Sequence, residues 1–223
     1  MVLTYNPLYY INYIQNHNQR FMSMSLNKQA KVLTNQQINL VLLHLENQSR
    51  NPVRDQVIFL LSTKAGLRAI EISSLTWSMV TDASGALDNY IYLTNSASKG
   101  KSGRQIPINK QLKEVLQIHL EQQSKLKSFD PSSDFVVTTQ RSKSTSSQAI
   151  VNMFQSWYRS LNLIGCSSHS GRRTFITNCS RKISSVGGSL RDIQYLAGHS
   201  SLQTTQRYIE GDTESKIKVV NLI

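Results

Sequence analysis

A chain of 223 residues is long enough for one sizeable domain, and its 25 Lys and Arg against 13 Asp and Glu leave a formal charge of +12. A surplus of that size points to a polyanion or an anionic membrane as partner. The longest aliphatic and aromatic run, Val57 to Leu61, falls far short of the roughly 20 residues a helical bilayer span needs, which excludes a helical membrane-spanning protein.

The first residues, MVLTYNPLYYINYIQN, have no basic segment ahead of an apolar one, so they do not read as an export signal. Residues 1–29 interleave Tyr5, Tyr9, Tyr10 and Tyr13 with Asn and Gln without a regular period. They are expected to form an extension, at most one irregular helix. From Thr34 the pattern tightens: Thr34 with Gln37 three residues on has the form of a capping box, and Ile38, Val41, Leu42 and Leu45 mark one face of the helix that follows. Asn51-Pro52 opens a second helix, whose apolar set Val57, Ile58, Leu60 and Leu61 marks it as buried and which Gly66 ends. Leu67 to Ile72 follows as a short helical segment, with Arg68 and Glu71 three residues apart on one face.

Tyr90 to Leu93 and Gln105 to Ile108 change to a β-favouring composition and predict a hairpin with the tip SASKGKSGR. A helix is expected from Lys110 to Lys127, a further short strand over Asp134 to Val137, and a Ser/Thr-rich basic loop from Gln140 to Gln148. Helices then cover Ile150 to Leu161, a stretch beginning near His169, Leu190 to Ala197 and Leu202 to Ile209, with SSVGGS as a flexible connection. The tail from Ile217 to Ile223 is apolar and too short to fold alone, so it is expected to dock on this subunit or a neighbouring one. The fold class is therefore mainly α with a small antiparallel β-sheet (α+β): one domain over residues 30–223 behind the extension.

Cys166 and Cys179, the two cysteines, form no CxxC pair, which fits a reducing, cytoplasmic compartment. The five histidines include no HxxxH or HExxH spacing, so spacing offers no metal box. Trp77, Trp157 and Phe175 read as core aromatics. Arg141 and Lys143, in the basic loop, are candidate phosphate contacts.

One ordered series of motifs remains. AGLRAIEISSLTW, a lysine on the hairpin tip, SHSGRRTFITN and LAGHSSLQTTQRYIE occur in that order. Together they resemble the tyrosine recombinases, the phage integrase family, over roughly Val32 to Gly211. The first segment resembles that family's first arginine box, with Arg68 and its acidic companion Glu71. The second resembles the HxxR box, as His169 and Arg172, and the third carries the family's His and nucleophilic Tyr, as His199 and Tyr208. Two departures are Arg173, where many members carry a His, and Ala197, where Leu is common. The resemblance implies the integrase catalytic-domain fold and a transesterification in which Tyr208 forms a 3′-phosphotyrosine bond and frees a 5′-hydroxyl. It further implies no metal or nucleotide cofactor, double-stranded DNA as partner, a tetramer on DNA and accessory DNA-bending proteins. It also implies a DNA-clamping helical domain ahead of the catalytic one. Since 29 residues are too few to supply that domain, the chain is expected to be a catalytic-domain-only member or a piece of a longer protein.

The residue types suit that chemistry independently. A phosphodiester passing through a five-coordinate state spreads negative charge over oxygens that two guanidiniums can grip, a task for Arg68 and Arg172. His169 and His199 can donate to further oxygens. A phenol ionises near pH 10, about three units above neutrality, so Tyr208 needs cationic neighbours or a base to act as a nucleophile. A cation must protonate the leaving oxygen: Lys99 is the first choice and Lys101 the second. Lys101, Arg104 and Arg173 are further candidate DNA contacts. Each residue also has a plain structural explanation: an Arg68–Glu71 ion pair, helix-end caps at His169 and His199, solvated lysines, a packed Tyr208. Two other functions stand beside recombination, namely a type IB topoisomerase-like relaxing enzyme and a non-catalytic DNA-binding protein.

Overall fold

The structure, a computed structural model, describes residues 29–139, 142–210, 217, 220 and 221. Helix α1 spans Asn35–Gln48 and starts as its sequence dictates: the Thr34 hydroxyl accepts from the Gln37 amide at 3.2 Å and the Gln37 side chain accepts from the Thr34 amide at 2.9 Å. It buries Ile38, Val41 and Leu45 against α2, Pro52–Lys64. Proline suits the first turn of α2 because the amide it lacks would have no intrahelical partner there. Every residue from Val57 to Thr63 is buried, which is the mark of a central helix rather than an amphipathic one.

At the end of α2 the chain reverses through Gly66, at φ +68°, where a β-carbon would sit 2.4 Å from Cδ1 of Phe175. An L side chain in that left-handed conformation costs about 1–2 kcal/mol, and the overlap adds to it. Gly66→Ala is therefore expected to lower stability by about 2–4 kcal/mol, read as a shift of the urea-unfolding midpoint. A value near zero would show that Phe175 swings away freely.

Helix α3, Ala69–Ser73, leads into a 3-10 turn over Trp77–Met79. Strands β1, Tyr90–Leu93, and β2, Arg104–Pro107, then pair antiparallel with Ile91 opposite Ile106 and Leu93 opposite Arg104. These four face inward and the alternate residues face out, the period-2 pattern of a half-buried ribbon. Asp134 to Val137 is not the strand its composition suggested. Phe135 makes one isolated bridge to Thr76, and the partner segment coils into the turn at Trp77 before a ladder can extend. Val136 and Val137 are nevertheless fully buried, so their apolar character serves the core.

Helix α4, Lys110–Ser124, packs on α2, and α5, Ser147–Ser160, packs on α3. The Ser146 hydroxyl caps α5 by accepting from the Ala149 amide at 3.1 Å. Helices α6, Ser170–Lys182, α7, Leu190–Ala197, and α8, Leu202–Glu210, complete the domain. A 3-10 turn, Ile183–Val186, takes up half of the SSVGGS connection. Trp77 and Trp157 lie in the main core, while Phe175 is half-buried beside a smaller cluster of Ile176, Ile193 and Ala197 that joins α6, α7 and α8. Two buried isoleucines contribute roughly 3–6 kcal/mol between them, so polar links share the work of placing α7. Among the described residues no helix is long and apolar enough to cross a membrane. The 1–28 part of the extension and all of the tail except residues 217, 220 and 221 lie outside the described residues.

Candidate active site

The site is organised by the C-terminal end of α7. The last carbonyls of a helix lack intrahelical donors and carry its partial negative charge. Backbone amides of Gly198 and His199 satisfy Gln194 and Tyr195, and the next three carbonyls each receive one arginine. Leu196 accepts from Nε of Arg104 at 2.8 Å, Ala197 from Nη2 of Arg172, and Gly198 from Nη2 of Arg68 at 3.3 Å. Gly198 caps the helix at φ +59°, where a β-carbon would lie 2.7 Å from Nη1 of Arg104. Only glycine permits both the turn and that approach.

Beneath the arginines lies Glu71, fully buried. One carboxylate oxygen accepts from Arg68 at 2.7 Å and Arg104 at 3.1 Å; the other accepts from Arg104 at 3.1 Å and from the Arg68 backbone amide at 2.9 Å. Burial alone would raise the Glu71 carboxyl, but hydrogen bonds and charge from Arg104, and then from Arg68, outweigh it and hold it below the usual range. Arg104 was expected on the DNA-facing tip, and the structure corrects that. It is the first residue of β2, points inward, is 5% exposed and spends its guanidinium on Glu71, Leu196 and the Ser102 carbonyl. A charged residue at an inward register position opposite Leu93 was the available signal, and starting the strand one residue late concealed it.

Arg172, in the first turn of α6, is also buried and donates to the Gly66 carbonyl at 2.6 Å. Burial, then the Arg68 charge, lower its pKa to about 10, so it remains a cation at neutral pH. His169 precedes α6 as an exposed N-terminal residue. With Arg172, Arg173, Arg207 and Tyr208 it lines a hollow of about 430 Å³. A second cleft of about 690 Å³ holds Arg68, Lys99, Lys101 and His199. Thr204 lines both, so the two are neighbours. The His199 ring stacks on that of Tyr208, with centroids 5.5 Å apart and planes 24° apart. Its Nδ1 lies 2.9 Å from the hydroxyl of Thr205. Burial, followed by the charges of Arg172, Arg68 and Arg104, pushes His199 down to about 4, so the free protein holds it neutral.

The structure thus gathers Arg68, Lys99, His169, Arg172, His199 and Tyr208 around two adjoining clefts. Lys101 and Arg173 line the same clefts. Lys143 does not join them: it pairs with Asp134 at 3.9 Å on a loop that lines a different hollow. Arg141 lies outside the described residues. Thr205 was missed, since a threonine inside a helix carries no distinguishing mark in the sequence. Among the described residues no group of three or more His, Cys, Asp or Glu is placed to hold a metal ion.

The model of the Phage integrase family matches residues 31–215. The chain belongs to this family. Similar proteins include the tyrosine recombinase XerD of Vibrio cholerae, 27% identical over 186 residues, which cover 82% of this chain and 58% of that protein. The tyrosine recombinase XerC of Histophilus somni is 27% identical over 202 residues, covering 89% of this chain and 64% of that one. The chain therefore spans less than two thirds of the length of these relatives. The integrase fold is likewise that of the XerA recombinase crystal structure, which superposes with a TM-score of 0.68 at 19% identity over 86% of this chain and 64% of that one. The XerH recombinase in a post-cleavage complex with palindromic difH substrate superposes with a TM-score of 0.66 at 17% identity, over 88% and 54% of the two chains.

Proposed function

We propose that this chain breaks and rejoins DNA strands as a site-specific recombinase, through a covalent bond between Tyr208 and a 3′-phosphate. The observation that carries the reading is the pair Arg68 and Arg172, held on consecutive carbonyls at the end of α7 beside the stacked His199 and Tyr208. In this reading the two guanidiniums grip the nonbridging oxygens, and His169 and His199 donate to the same phosphate. The Tyr208 oxygen forms a bond to phosphorus while the bond from phosphorus to the 5′-oxygen breaks. The phenol's proton passes to solvent, and Lys99 gives a proton to the departing oxygen. A 5′-hydroxyl from a partner strand then reverses these steps. The similarity to tyrosine recombinases of Vibrio cholerae and Histophilus somni supports the same reading.

Double-stranded DNA is the proposed substrate, in keeping with the charge of +12, with action in the cytoplasm. A tetramer on DNA and accessory DNA-bending proteins complete the proposal. The exposed apolar side chains of Ile217 and Val220 are in keeping with a C-terminal segment that meets a neighbouring subunit. We also propose that the catalytic domain begins near residue 30 and that residues 1–29 are an appendage to it.

The test is a nicked suicide duplex built from candidate sites flanking the gene, scored for a protein–DNA adduct that survives denaturation. Adduct formation and strand exchange are expected. Relaxation of supercoiled plasmid without strand exchange would favour the topoisomerase reading, and DNA binding with no adduct would favour the non-catalytic one. On the same duplex, Lys99→Ala is expected to slow cleavage by about 10²–10⁴-fold, the usual worth of a general acid. Replacing the leaving 5′-oxygen by sulfur, which departs without a proton, should restore the rate; persistence of the defect would remove Lys99 from that role.

A further inference from the structure

We propose that the Thr205 hydroxyl positions His199 by donating to its Nδ1, which leaves the ring proton on Nε2, so that the imidazole turns an Nε2–H, and not a bare lone pair, toward the scissile phosphate. The inference rests on the recombinase reading and assigns a positioning residue within it.

Thr205 is fully buried and lies on α8 three residues before Tyr208, so one helical turn carries both side chains that meet His199. A helical threonine commonly returns its hydroxyl to the carbonyl four residues back. The hydroxyl of Thr205 instead stands 2.9 Å from Nδ1 of His199. The imidazole is held from two directions, by the Thr205 hydroxyl at Nδ1 and the Tyr208 ring on one face, while the Gln194 side chain donates to the His199 backbone carbonyl at 3.0 Å and fixes the main chain beneath the ring.

A neutral imidazole carries a single N–H, and a hydroxyl can donate or accept. If Nδ1 held the proton, Thr205 would accept it, and Nε2 would meet a phosphate oxygen lone pair to lone pair. With Thr205 donating to Nδ1, the proton must sit on Nε2, and that nitrogen becomes a donor. The choice matters because His199 is neutral in the free protein, where burial and the charges of Arg172, Arg68 and Arg104 outweigh the opposing pull of Glu71. A doubly protonated ring would donate from either side and need no selection.

Thr205→Val keeps the volume and removes the hydroxyl. It is expected to slow single-turnover adduct formation on the nicked duplex by roughly tenfold or more, the worth of one hydrogen bond to a buried polar group. Thr205→Ser should restore the rate to within about threefold, since the hydroxyl is what counts. Long-range ¹H–¹⁵N spectra of histidine-labelled protein, with His199→Gln to assign the signal, should show Nε2 protonated in wild type and a mixture of tautomers in Thr205→Val. A wild-type spectrum with Nδ1 protonated would overturn the proposal, as would Thr205→Val costing as much in a His199→Ala background as alone. Absence of any adduct with wild type would sink the recombinase reading, while the spectra would still decide the tautomer.

Discussion

Tyr208→Phe is expected to bind DNA as wild type does and to form no covalent adduct, a loss on the order of 10⁴-fold or more, as when a nucleophile is deleted elsewhere. The substitution is well matched to the site. It keeps the ring that stacks on His199 at 5.5 Å and packs against the cluster of Ile176, Ile193 and Ala197, so stability should change by no more than about 1 kcal/mol. What disappears is the hydroxyl of the proposed nucleophile, in the hollow that Tyr208 lines with Arg172 and His169. The measurement is adduct on a denaturing gel from the nicked duplex, alongside binding by gel shift in the same buffer. Equal adduct from wild type and Tyr208→Phe would show that a different group, or none, attacks the phosphate.

Glu71→Gln should be the most damaging change outside the residues proposed to contact the phosphate. The side chain keeps its shape but loses the charge that holds Arg68 and Arg104 at 2.7 and 3.1 Å. The side chain of Arg104 is only 1% exposed, so its guanidinium cannot turn to solvent when its partner goes. Breaking a buried pair in this way costs about 3–5 kcal/mol, and that loss should appear in urea unfolding. Cleavage should fall on the order of a hundredfold or more, because Arg68 loses both its orientation and its tether to the start of α3.

A pH series adds a second reading. The Glu71 pKa is lower in the folded protein than its ordinary 4.5, so its contribution is present above about 4.5 and is lost as pH falls through the folded value. Wild type should lose stability over that acid range, and Glu71→Gln should lose less. The remaining acid limb would come from Asp82, Asp130 and Asp192, each lowered chiefly by side-chain hydrogen bonds from neighbouring serines. Superimposable acid limbs for the two proteins would mean that Glu71 is not held ionised by its arginines.

Arg104 and Asp134 to Val137 show where a linear reading loses information. The hairpin was legible from β-favouring composition, yet whether Arg104 belonged to the tip or the strand decided its chemistry. One residue of register separates a solvated cation from a buried one. Val136 and Val137 were recognised as apolar but assigned to a strand, because composition records that a residue will be buried and not which element will cover it. Thr205 had no local signature at all. The role proposed for it rests on a hydrogen bond to His199, six positions back at the end of α7.

By itself, then, the sequence determined most of the helices, the capping box at Thr34, the hairpin and the order of the chemical residues, since all of these depend on periodicity, capping and turn chemistry within a few positions. Tertiary structure alone decided how those residues converge. Arg68, Arg104 and Arg172 are separated by 36 and 68 positions, and what joins them is three free carbonyls at the end of one helix and one buried carboxylate. Buried charges must find partners and helix ends must find donors. Those requirements are met only when the chain has folded back on itself, and meeting them is what assembles the candidate site.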